Sequence, residues 1–127
     1  MKDLVKVSVV EVVCRKSAVT DQRIITLTLE PDEPIFVEGV EVDFLYANVT
    51  DEDTQEPWGW RQAQMRYALG LDPVYLCSRT LEVPALAPSE MQSIVGVDLF
   101  VAVDTREFPG YGVRLQVLDF YKWDKRP

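Results

Sequence analysis

The chain is predicted to fold as a mainly β domain, five strands curled into a barrel with one main helix between the third strand and the fourth. Three observations carry this expectation. Apolar and polar residues alternate at a period of two over several separate stretches, the pattern of half-buried strands. A single longer stretch, from Trp60 to Leu71, has the wider apolar spacing of an amphipathic helix. The 127 residues, 47% apolar and 27% charged, suffice for one domain (1–127) with a core of its own.

The first strand is predicted over 4–14, where Val5, Val7, Val9 and Val13 share one face and Lys6, Ser8, Val10 and Val12 the other. The polar run Arg15-Lys16-Ser17 and Thr20-Asp21-Gln22 suits a turn. A second strand follows, with Ile25, Leu27 and Leu29 alternating with Thr26 and Thr28. It ends at Glu30-Pro31-Asp32-Glu33-Pro34, because proline donates nothing to a ladder. The third strand is predicted from Phe36 through Tyr46, with Val40, Val42 and Phe44 on one face and Gly39 marking a bulge or turn. Residues 48–56 read as a loop.

The helix is predicted to begin near Pro57, with Asp53 or Thr54 as its cap, and to bury Trp60, Met65, Tyr67, Ala68 and Leu69. Gly70 supplies the left-handed stop, and Asp72-Pro73 blocks continuation. Residues 74–88 read as an irregular connection punctuated by Pro84 and Pro88. Ser89 and Gln92 have the spacing of a capping box for a short helix that Gly96 closes. The last two strands alternate through Val97, Leu99, Val101 and Val103, then Val113, Leu115 and Val117, around a hairpin tip at 106–111.

Composition narrows the chemistry. There is no histidine, which removes Ser-His-Asp and Cys-His nucleophiles and every histidine-containing metal site. Cys14 and Cys77 form no Cys-x-x-Cys and read as separate reduced thiols, although sequence alone leaves a disulfide open. The six glycines are scattered singly, so there is no phosphate-cradling loop. The acidic runs Glu30-Asp32-Glu33 and Asp51-Glu52-Asp53 lack the spacing and glycine of a calcium loop and read as solvated surface. Neither an enzyme nor a metal or cofactor is expected. No apolar run is long enough to span a bilayer, and the N-terminus lacks the apolar core of a signal peptide, so a cytoplasmic protein without membrane contact is expected.

The net charge of −8 is unevenly spread. Residues 1–29 hold five bases and three acids, residues 30–56 hold ten acids and no base, and residues 57–127 hold eight of each. All the excess acid thus lies in one segment, and the remainder is free to present a basic face.

From Trp60 to Trp123 the chain runs through a helix (WRQAQMRYALGLDP), a spacer, a capped turn (SEMQSIVG) and a terminal hairpin with a Tyr-Gly turn. This order resembles the second half of small phage-encoded single-stranded-DNA-binding OB-fold proteins, over about half the chain. The resemblance implies a partly open Greek-key barrel that binds a single strand across its second and third strands, between the first and last hairpin loops. It implies a sequence-neutral coat on single-stranded DNA during replication or recombination, in the cytoplasm of a host cell. Such binding needs cations along the backbone and aromatics beneath the bases. The candidates are Arg15, Lys16 and Arg23 in the first hairpin, and Arg106, Phe108, Tyr111 and Arg114 in the last. Trp58, Trp60 and Arg61 form a second aromatic-cation group, and the C-terminus carries Phe120, Tyr121, Lys122 and Trp123, either as a clamp or as barrel closure. The chain departs from cellular single-strand binders in having its acid internally rather than in a C-terminal tail. The alternative function is therefore an acidic protein-interaction module, with segment 30–56 mimicking DNA to inhibit a nucleic-acid enzyme. Homo-oligomerisation is left open by the sequence.

Overall fold

The computed structural model describes residues 3–16, 23–50, 59–71, 86 and 88–123. The fold is mainly β. Its elements are strands β1 (Asp3–Lys16), β2 (Arg23–Pro31), β3 (Ile35–Val37), β4 (Val40–Val42) and β5 (Leu45–Thr50), helices α1 (Gly59–Ala68) and α2 (Pro88–Ser93), and strands β6 (Asp98–Phe108) and β7 (Gly112–Lys122). Five strands form one antiparallel sheet in the order β5-β2-β1-β6-β7, and β3-β4 is a separate hairpin. The sheet is open and does not close into a barrel, with its edge strands β5 and β7 curling close to one another. In chain order α1 follows β5 and precedes α2 and β6.

One face of the sheet is the core. Val7, Val9, Ile25, Leu27, Leu29, Leu45, Ala47, Val49, Leu99, Val101, Val103, Val117 and Phe120 point into it, and Met65 and Ala68 of α1, with Leu69 just past its end, cover it. A bulge in β1 changes the predicted facing of its second half. The pairing passes from Val9↔Leu29 to Glu11↔Thr28, so Val10 is the extra residue. Beyond it Val12 packs against the core and Val13 turns out to solvent, the reverse of the simple alternation. At the same point β1 leaves β6, and the Val9 backbone bonds Val97 and Gly96 instead.

The segment expected as one strand from Phe36 to Tyr46 is three short ones. Glu38 and Gly39 both have positive φ (51° and 80°), which makes a two-residue turn between the paired residues Val37 and Val40. Strand β5 then runs through 45–50, where a loop was expected from 48, because Leu45, Ala47 and Val49 supply an inward alternation.

Helix α1 ends as its sequence dictates. Gly70 has φ 81°, and the Leu71 N–H donates to the Arg66 carbonyl while the Gly70 N–H donates to that of Tyr67. Its buried face is narrower than expected, because Tyr67 is 46% exposed and meets the Lys122 ammonium 5.3 Å from its ring centre. Arg66 is instead buried, 1% exposed, with a bidentate pair of hydrogen bonds to Glu90 of α2 at 2.8 and 2.6 Å. Gln64 accepts a hydrogen bond from the Phe120 N–H at 3.0 Å, which ties α1 to β7. Helix α2 begins at Pro88, not with Ser89 as cap; proline at a first helical position loses no bond.

Candidate nucleic-acid interface

The β6-β7 hairpin turns through Pro109 and Gly110, with the Tyr111 N–H donating to the Phe108 carbonyl at 2.9 Å. Proline second and a positive-φ glycine third are the requirements of a type II turn, so the tip is built by its sequence. The tip presents Tyr111, 75% exposed. Below it Arg106 and Arg114 are direct cross-strand partners, and the Arg106 guanidinium lies 5.2 Å from the Phe108 ring centre. Like charges placed opposite each other on a sheet repel. Among the described residues neither arginine has an ion-pair partner.

This hairpin faces the β3-β4 hairpin across the seam between β5 and β7. The space between them is a groove of about 810 Å³. Its lining combines aromatic rings (Phe44, Tyr46, Phe108, Tyr111), the Arg114 side chain, two carboxylates (Glu38, Glu41) and the aliphatic Val113 and Leu115. Tyr46 is 62% exposed because β5 turns alternate residues outward, leaving Leu45 and Ala47 in the core. The outward row continues along β5 and β2: Thr28 opposite Tyr46, then Thr26 opposite Asn48, whose side chains share a 2.7 Å hydrogen bond.

The predicted site residues therefore divide. Arg106, Phe108, Tyr111 and Arg114 are brought together beside the groove. Arg15 is exposed on the same sheet face as Tyr46, in the row Arg15–Ile24–Thr50, but at the opposite end of β2. Lys16 and Arg23 pair in the ladder beside it, and their side chains lie outside the described residues. The described ends of the two hairpins thus do not converge: the β6-β7 tip meets β3-β4, while the Lys16–Arg23 pair lies at the far end of β1. Trp58, Cys77 and the acids 51–56 are outside the described residues, as is the Trp60 side chain.

The C-terminal aromatics close the sheet more than they clamp. Phe120 is buried, and Trp123 stacks on Phe100 with ring centres 5.0 Å apart. Lys6 sits 3.9 Å over the Trp123 ring and also pairs with Asp32 at 3.0 Å. Phe44, Tyr46, Glu38 and Glu41 belong to the groove without having been singled out by sequence. The alternation of Tyr46 with Leu45 and Ala47 was the available signal.

Around the start of this segment lies a second, smaller hollow of about 350 Å³, ringed by Glu30, Asp32, Glu33, Glu41 and Asp43. Among the described residues no group of acids is arranged to hold a metal ion. No helix among them is long and apolar enough to cross a membrane. Comparison with protein-family models finds no match, and comparison with curated proteins finds none.

Proposed function

We propose that the protein binds single-stranded DNA without catalysis, as a sequence-tolerant coat of the kind used in replication or recombination, on an OB-type barrel. The observation that carries the reading is the groove, where exposed rings of Tyr46 and Tyr111 stand beside an arginine couple with no ion-pair partner among the described residues. Rings of this kind offer stacking platforms to bases of any sequence, and arginines neutralise the backbone. The strand order supports the fold half of the proposal. An OB-type Greek-key barrel opened between its third and fifth strands has the order β5-β2-β1-β6-β7, with a helix after the third strand.

A titration of oligo-dT binding against salt tests the proposal. Each phosphate contact releases condensed counterions, so log affinity should fall against log salt with a slope of roughly −0.7 per contact. Two arginine contacts give roughly −1.4. Absence of binding at low salt would end the DNA reading. The rival reading, an acidic module that docks on a nucleic-acid enzyme, draws on the ring of carboxylates from Glu30 to Asp43. It would be favoured by capture of a basic protein partner in that same experiment's place.

A further inference from the structure

Resting on the DNA reading, we propose that the groove is not indifferent to the base it holds: it selects a base whose pairing edge carries an amino group, cytosine over thymine. The groove is bipolar. On the β6-β7 side stand Arg114 and its cross-strand partner Arg106, without an ion-pair partner among the described residues. On the β3-β4 side stand the carboxylates of Glu38 and Glu41, both exposed and lining the same groove as Arg114. Tyr46 and Tyr111 supply the rings between. A nucleotide has this same polarity. Its phosphate is anionic, and the edge of an unpaired base is neutral and free to donate. A strand laid with its backbone on the arginines puts a base edge toward the carboxylates.

Carboxylates only accept hydrogen bonds. Cytosine offers them the two hydrogens of its projecting N4, whereas thymine has the O4 acceptor there, and its one donor, N3–H, is flanked by two carbonyl oxygens that the carboxylates repel. A basic peptide would satisfy the carboxylates too, but it would meet the arginine couple with like charge. Glu38 holds φ at 51°, a conformation a glutamate adopts at a cost and that asparagine or glycine would take more readily. Its side chain nevertheless projects from the turn that forms the groove wall.

The test is a comparison of oligo-dC with oligo-dT of equal length, at neutral pH and one salt concentration, by fluorescence anisotropy. Oligo-dC should bind about five- to tenfold tighter, the discrimination of one partly exposed hydrogen bond to a charged acceptor. Glu38→Ala and Glu41→Ala should bring that ratio toward one. A purely repulsive role for the acids would raise both affinities equally and leave the ratio unchanged, which would overturn the proposal. Equal binding of both oligomers by the unaltered protein would overturn it as well, while leaving the DNA reading standing. Failure of both oligomers, with binding of an arginine-rich peptide, would overturn the two together.

Discussion

Strand β7 has two ends, and they treat arginine in opposite ways. Near Phe120 the strand lies under α1, where Gln64 satisfies its backbone. The neighbouring Arg66 there is buried and held by both oxygens of Glu90. At the other end, Arg114 is exposed, directly opposite Arg106, and unpaired among the described residues. The difference teaches where to look for a ligand. A buried charge must be matched within the chain, because its desolvation costs several kcal/mol. An exposed couple of like charges is left to water and counterions, and it is open to a bound anion.

Breaking the comparison at its structural end should give the largest effect. Glu90→Ala removes the bidentate partner of Arg66 in the core. The loss should be about 3 kcal/mol, the low end for a breached buried pair because the Glu90 side chain keeps 22% exposure. Urea unfolding reads it, and oligo-dT affinity measured well below the midpoint should be unchanged. A loss under about 1 kcal/mol would mean that water already shares Arg66. At the ligand end the order reverses. Tyr46→Ala or Tyr111→Ala should weaken oligo-dT binding by about 1–3 kcal/mol each, with stability altered by no more than about 0.5 kcal/mol. Fluorescence anisotropy paired with thermal melting separates the two readouts, and unchanged affinity would remove the rings from the interface. The smallest expected change sharpens the contrast most. Arg106→Ala or Arg114→Ala should flatten the salt slope by roughly 0.7 each. Either should leave the melting temperature equal or slightly raised, since a cross-strand repulsion is lifted. A drop in stability would show that the couple has a structural partner.

Much of the frame is legible in the chain because local rules and the global fold agree there. Ile25, Leu27 and Leu29 fix β2, since alternation leaves only one side to bury, and Leu99, Val101 and Val103 mark the inward face of β6, although Phe100 and Ala102 on its other face are buried too. Gly70 and the Pro109-Gly110 pair set a helix end and a turn through backbone conformation alone. What escapes reading is what depends on distant partners. Arg66 looks like a surface residue until Glu90, twenty-four positions on, is beside it. Tyr67 sits at helical spacing from the apolar stripe, yet its ring faces Lys122. Segment 36–46 alternates like a strand, and only the Glu38-Gly39 turn breaks it. Half of the groove, from Phe108 to Arg114, is written in one hairpin and could be named in advance. The other half is not, because the approach of β3-β4 to β7 is set by packing rather than by any local pattern.

The extra residue at Val10 works as a parity device. Val9, Val10, Val12 and Val13 are all apolar, so the run would satisfy either face, and only the count of residues decides which valines go in. Counting from Val9 without the bulge, Val13 would point to the core, along with Arg15 two positions later. With it, Val12 takes the core side, and Arg15 is delivered to the outer face, in the row of Ile24 and Thr50. The chemistry of that outer surface is therefore specified not by what residue occupies position 10 but by the existence of a position 10 at all. Side-chain identity there can drift. Chain length cannot, since a strand one residue shorter would present its lining to solvent and its charges to the core.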